Sequence, residues 1–146
     1  MPEEFHYHRR VEFCETDAAG IAHFSAYFQY MEQAEHAFLR HLGTSVHTQD
    51  DSGAISWPRV SASCDYTGPV RFEDVLDVCV RIERLGTKSI TYSFDFSLHE
   101  IRVATGKLTA VCCRIKRDAP PTSMPIPDWL VKLLRPFENT PDDQSA

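Results

Sequence analysis

The sequence predicts an α+β domain in which one long apolar helix lies across an antiparallel sheet. Two observations carry this. Between Glu12 and Leu42, the residues Phe24, Tyr27, Phe28, Met31, Ala34, Phe38, Leu39 and Leu42 recur at steps of three and four, the spacing of one helical face. Beyond Arg59, four stretches follow in which apolar and polar residues largely alternate, as in strands with one buried face. At 146 residues the chain makes one domain, long enough to bury a core without disulfides or metals.

Taken in order, Val11 and Phe13 between charged neighbours give a first strand over residues 8–14. A short loop with Asp17 and Gly20 follows. The helix comes next, with Ser25 as its expected N-cap, and stops near Leu42-Gly43, where glycine accepts a left-handed turn. Residues 44–53 are polar and read as a loop. In the stretch from Arg59 to Tyr66, Val60, Ala62, Cys64 and Tyr66 alternate with Arg59, Ser61, Ser63 and Asp65 until Thr67-Gly68-Pro69 breaks the pattern. Leu76, Val78, Val80 and Ile82 form the next apolar face, and Gly86-Thr87 signals a hairpin. Ile90, Tyr92, Phe94, Phe96 and Leu98 give the cleanest period of two. A turn is expected at Ala104-Thr105-Gly106, leading to a strand from Leu108 to Ile115 that is apolar on both faces, as in the middle of a sheet. A Pro-rich run (Pro120, Pro121, Pro125, Pro127) precedes a short helix from Asp128 to Arg135, stopped at Pro136. The domain is taken as residues 1–137, with 138–146 a polar, flexible tail.

Composition narrows the function. A net charge of −6 argues against nucleic acid or an anionic membrane as the main partner. No apolar run approaches the length of a membrane span, and the N-terminus carries no apolar signal region. The five cysteines are odd in number, form no C-x-x-C and sit in strand-like stretches, which suits buried thiols in the cytoplasm. His36 and His41 are five apart, off the helical spacing of a zinc pair, so no metal site is expected. G-x-S-x-G, G-x-G-x-x-G and phosphate-cradling glycine loops are absent from the sequence.

The chemistry gathers where the Asp17 loop meets the helix. A helix N-terminus offers free N–H groups and partial positive charge, which stabilise an oxyanion formed at an attacked carbonyl. A carboxylate beside such donors outlines acyl transfer, although an Asp before a helix is far more often a turn or cap residue.

A resemblance shifts that balance. The run T-D-A-A-G-I-A-H-F-S-A-Y (Thr16 to Tyr27), with Glu32 on the helix, resembles the signature of hotdog-fold acyl-CoA thioesterases of the 4-hydroxybenzoyl-CoA thioesterase family. That family carries an Asp, a Gly three positions on and a Tyr ten positions after the Asp; Asp17, Gly20 and Tyr27 match, and Glu32 matches an acidic helix position. R-V-S-A-S-C-D-Y-T-G-P-V-R-F-E-D (Arg59 to Asp74) is similar to the family's second strand and following turn, and I-P-D-W-L (Ile126 to Leu130) to its last helix. The resemblance spans residues 7–134. It implies a hotdog fold: one long central helix wrapped by a curved five-stranded antiparallel sheet, with a short C-terminal helix. It also implies an acyl-CoA substrate hydrolysed to free acid and CoA, no cofactor beyond the substrate's own coenzyme A, and a homodimer or homotetramer with sites between subunits. Cys112, Cys113 and Ile115 are expected to offer apolar surface for that assembly. Where many relatives have Tyr-His before the helix, this chain has His23-Phe24.

On this reading Asp17 is the nucleophile or general base. Gly20 lets the loop fold back, the N–H groups of His23 and Phe24 receive the oxyanion, and Ser25 and Tyr27 line the site. Glu32 is the second-choice carboxylate and Glu35 is read as solvated. Arg59, Arg71, Lys116 and Arg117 are candidates for the CoA phosphates, against the blander reading of surface charge. Two rivals stand beside hydrolysis. One is a hotdog hydratase or dehydratase, which needs a His23–Asp17 pair; the other is an acyl-CoA binding module without turnover.

Overall fold

The computed structural model describes residues 2–139. Strand β1 (Phe5–Arg10) leads through a 3₁₀ turn (Phe13–Glu15) and the Asp17 loop into helix α1 (Ala26–His41). Strands β2 (Thr48–Asp50), β3 (Gly53–Ser56), β4 (Arg59–Tyr66), β5 (Val75–Leu85), β6 (Ser89–Leu98), β7 (Ile101–Val111), β8 (Cys113–Lys116) and β9 (Ala119–Ser123) follow, then helix α2 (Asp128–Leu134). The strands form two antiparallel sheets, one ordered β1-β5-β6-β7-β4 and one ordered β2-β3-β8-β9.

The five-stranded sheet is the expected one. Its inner face is the alternating set Leu76, Val78, Val80 and Ile82 of β5 with Tyr92, Phe94 and Phe96 of β6, all almost fully buried. Against it lies the α1 face made by Tyr27, Tyr30, Met31, Ala34 and Phe38. Each such side chain contributes about 1.5–3 kcal/mol through its removal from water. Bulges at Arg59/Ser61, Ile82/Arg84 and Phe96/Ser97 bend the strands. Gly43, at φ +86°, ends the helix as expected. Phe24 and Phe28 depart from the expected stripe: they are 63% and 36% exposed, because they lie on the outer side of the helix start.

Five expectations are corrected. The second sheet was not foreseen, since residues 44–53 read as loop; its strands are three to five residues long and two of them are polar or Pro-rich. The turn read at Ala104–Gly106 lies inside β7, and the real hairpin turns at His99 and Glu100, both at positive φ. Cys112 and Cys113 are covered within the chain, the first by the 124–126 segment, whose Met124 N–H donates to the Cys112 carbonyl at 2.9 Å. Cys14, by contrast, is exposed on the 3₁₀ turn. The tail boundary also moves. Glu138 and Asn139 dock on β5, with Asn139 N–H donating to the Ile82 carbonyl at 2.8 Å and Leu85 N–H donating to the Glu138 carboxylate at 2.9 Å. Residues 140–146 lie outside the described residues.

The sequence reads Gly106 as a turn, where glycine is common. Its actual reason is packing: a Cβ there would fall inside the radius of the Met31 sulfur and 3.4 Å from the Ser63 carbonyl oxygen. The missing side chain lets α1 approach the middle of the sheet.

Candidate functional site

The loop before α1 is built on itself and then tied to the segment after β4. Asp17 N–H donates to the Ile21 carbonyl and Gly20 N–H to the Asp17 carbonyl, both at 2.9 Å. Gly20 sits at φ +80°, and a Cβ there would meet nothing within 4 Å; the backbone angle, not lack of space, calls for glycine. Ala22 N–H donates to the Val70 carbonyl at 2.7 Å, and Ile21 forms a bridge with Arg71. Within this frame the Asp17 carboxylate is fixed by its own loop: Oδ1 accepts from Ala19 N–H at 2.9 Å and from Ile21 N–H at 3.4 Å. Among the described residues no hydrogen bond falls on Oδ2.

Asp17 opens on a cleft of about 170 Å³ walled by Ile21, Phe24, Tyr27, Tyr66 and Val70. Tyr27 is buried and packs edge-on against Phe96, ring centroids 5.4 Å apart, so it is a core residue that also shows one edge to the cleft. Tyr66 closes the opposite wall. Its ring stands edge-on to Tyr27 at 4.9 Å, and its hydroxyl donates to the Phe24 carbonyl at 2.8 Å. Desolvation pushes both phenols up to about 12, so both remain neutral at physiological pH. Nothing in the pattern of β4 singled out Tyr66: the contact joins positions 42 residues apart.

The two expected oxyanion donors fare differently. The His23 N–H is already bonded to the Glu15 carbonyl at 2.8 Å, which corrects the expectation that it faces a ligand. Among the described residues no acceptor is bonded to the Phe24 N–H. The His23 imidazole turns away from Asp17. Ser25 N–H donates to its Nδ1 at 3.2 Å, the Ser25 hydroxyl lies 2.7 Å from the same nitrogen, and the ring stacks on Phe24 at 4.5 Å. His23 and Ser25 line a second, polar cleft of about 430 Å³ together with Glu15, Thr16 and Gln29. Imidazole and carboxylate thus open on different clefts. Ser25 precedes the helix as expected, but at φ −72°, ψ −21° it is already helical, and its hydroxyl is engaged with His23 rather than with the helix N–H groups.

Glu32 is exposed and stands outside the Asp17 cleft, 3.6 Å from Arg59. Glu35, read as solvated, is the opposite: it is 1% exposed and held by both arms of the Arg59 guanidinium, one at 2.9 Å. Burial pushes its carboxyl up, and Arg59 pulls against that. Arg59 is therefore committed inside the fold, whereas Arg71, Lys116 and Arg117 are exposed. Glu15 was missed as well. It accepts from Arg9, from Glu12 N–H at 2.8 Å and from the Tyr30 hydroxyl at 2.9 Å, and so anchors the loop's entry to the helix. On the outer sheet face the pairing of β1 with β5 brings Glu4, His6 and Cys79 ligand atoms within 4.8 Å of one another, which no spacing along the chain could show. Arg81 donates to Glu4 at 2.8 Å and Asp77 lies 2.9 Å from the His6 ring, so the cluster is an ion-pair network.

The chain is similar to known proteins over most of its length. The family profile described as the Thioesterase superfamily matches residues 19–105. An Aquifex aeolicus protein, described only provisionally as an esterase, is 36% identical over 112 residues, covering 77% of this chain and 85% of its own. A 1,4-dihydroxy-2-naphthoyl-CoA hydrolase from Synechococcus elongatus is 26% identical over 129 residues, 87% of this chain and 95% of that one. Among solved structures, a gentisyl-coenzyme A thioesterase superposes with a TM-score of 0.74 at 31% identity, covering 86% of this chain and 98% of the other.

Proposed function

Because the chain belongs to the thioesterase superfamily and is thereby a thioester hydrolase, we propose that it cleaves acyl-CoA thioesters with compact, preferably aromatic, acyl groups at the Asp17 cleft. The observation that carries this is one small cleft walled by aromatic rings and lined both by the loop-fixed Asp17 and by Phe24, whose N–H is bonded to no acceptor among the described residues. At about 170 Å³ the cleft falls below the usual 300–1,000 Å³ of a whole-ligand pocket, which suits a ring-sized acyl group and not a long chain. Two relatives named for aromatic acyl-CoA substrates fit the same reading.

Two routes use these groups. In one, an Asp17 oxygen attacks the thioester carbon and the carbonyl electrons move onto oxygen, and the Phe24 N–H donates a hydrogen bond to the oxyanion so formed. Collapse expels CoA as its thiolate and leaves an acyl–Asp17 anhydride, which water then opens. In the other, Asp17 takes a proton from water as that water attacks. The thiolate leaves readily in both, so no strong acid is needed. CoA enters only as part of the substrate, and no resident cofactor is proposed. The lyase alternative lacks its His23–Asp17 pair. A panel of acyl-CoAs followed with a thiol reagent should show CoA release that is fastest for aryl groups; silence across the panel would refute the proposal.

The backbone role of the loop gives a further expected result. Gly20→Val should lower turnover about a hundredfold, because a β-branched residue resists φ +80° and moves the oxyanion donor. Gly20→Asn, which tolerates that angle, should keep most activity, and His23→Ala should cost less than about tenfold. A dead His23→Ala beside a near-normal Gly20→Val would restore the lyase reading.

We also place the enzyme in the cytoplasm, as a homodimer or a tetramer built from one. Its cysteines are all free, and among the described residues no helix is long and apolar enough to cross a membrane. Strand β4 pairs with β7 on one side only. Val60 and Tyr66 on β4, with Phe24 and Phe28 on the adjoining helix start, are 61%, 42%, 63% and 36% exposed. An open edge flanked by apolar side chains is a template for a second copy. Light scattering should give at least twice the 16.7 kDa chain mass; a monomer at micromolar concentration would sink this.

A further inference from the structure

We infer that Tyr66 is a positioning residue for catalysis: by holding the Phe24 carbonyl it sets the orientation of the neighbouring Phe24 N–H, the proposed oxyanion donor. This rests on the proposed hydrolysis at the Asp17 cleft. The argument starts from the backbone at the helix start. A carbonyl one residue before the N-cap can turn into the helix and accept from the N–H four residues on. Here Phe28 N–H instead donates to the Ser25 carbonyl at 3.2 Å, and the Phe24 carbonyl is turned outward to the Tyr66 hydroxyl at 2.8 Å.

The peptides on either side of Phe24 are thus held by two different devices. The one before it carries the proposed oxyanion donor and is fixed through its carbonyl, which accepts from Ala26 N–H at 2.9 Å. The one after it is held at both ends, its N–H donating to His23 Nδ1 at 3.2 Å and its carbonyl accepting from across the cleft from Tyr66, a side chain on the edge strand. Tyr66 is itself steadied by its ring contact with Tyr27, which rests on Phe96 of the sheet. The chain of contacts runs sheet, Tyr27, Tyr66, Phe24. The phenol stays protonated and so remains a donor throughout the physiological range, since burial raises it to about 12. Removing the hydroxyl frees the Phe24 carbonyl to swing toward Phe28 N–H, and the residue between the two peptides rotates with it. A donor displaced by about an ångström loses much of its value to the transition state.

The test is Tyr66→Phe, which deletes one oxygen and keeps the ring, the wall and the open edge. On the best aryl-CoA substrate we expect kcat to fall about tenfold or more with KM within about twofold, at unchanged circular dichroism, melting temperature and light-scattering mass. Tyr66→Ala should in addition raise KM, since it removes the wall. A wild-type kcat in Tyr66→Phe overturns the positioning role, and so does a raised KM with unchanged kcat, which would make Tyr66 a wall residue only. Asp17→Asn, run in parallel, separates the two levels. If Asp17→Asn is inert and Tyr66→Phe is normal, hydrolysis at this cleft stands and the Tyr66 role falls; if Asp17→Asn turns over normally, both fall.

Discussion

Asp17→Asn should leave a folded protein that still binds substrate and releases CoA at least a thousandfold more slowly, a barrier increase of about 4 kcal/mol. The amide keeps the shape of the carboxylate and can still accept at Oδ1 from the Ala19 and Ile21 N–H groups, so the loop should persist. What it lacks is the charge needed to attack a carbonyl or to take a proton from water. Single-turnover and steady-state CoA release on the same acyl-CoA, with binding followed by calorimetry, measure the two parts separately. A loss smaller than about tenfold would remove Asp17 from the centre of the reaction and send attention to the other carboxylates of the joint.

The second large effect concerns stability. Arg59→Ala should cost about 3–5 kcal/mol, because it strands the Glu35 carboxylate, 1% exposed, without its partner. Out of the 5–15 kcal/mol by which domains are stable, that is a loss easily read in urea unfolding. With the guanidinium gone, burial acts on the Glu35 carboxyl against only the weaker pull of His36, 3.7 Å away, and its pKa rises further. A group that holds its proton more tightly when folded favours the fold at low pH and costs stability as pH climbs through its folded pKa. The deficit of Arg59→Ala should therefore shrink on acidification. Replacing both residues, as Glu35→Leu with Arg59→Met, should recover most of the loss, since apolar groups of similar volume need no partner. If Arg59→Ala cost less than about 1 kcal/mol, the pair would be no stronger than an exposed one.

Much of the main sheet and of α1 was legible because each buries one continuous face. The period of Ile90 to Leu98 and the stripe from Tyr27 to Phe38 are direct consequences of that burial. The second sheet had no such signature: β9, A-P-P-T-S, is fully exposed and carries two prolines, so neither alternation nor propensity marked it. Glu35 illustrates a different limit. A glutamate on a helix reads as solvated unless the arginine that neutralises it is known, and Arg59 comes from a strand 24 positions away. The same holds at the candidate site. The sequence marks Asp17, Gly20 and the helix start as one local run, while the wall that faces them, Tyr66 and Val70, arrives through β4 and the turn after it. Which peptide N–H is free is also beyond the run itself, since Glu15 claims that of His23 through a backbone bond.

The contact of Met31 with Gly106 binds the history of two positions together. A larger residue at 106 must displace the Met31 thioether from its packed position, and a shorter residue at 31 leaves space beside Gly106 that a side chain there could fill. Each change alone is disfavoured, and the compensated pair is reached only through a costly intermediate. Descendants of this chain are therefore expected either to keep both residues or to have exchanged both, so that helix and strand drift in step at this one point.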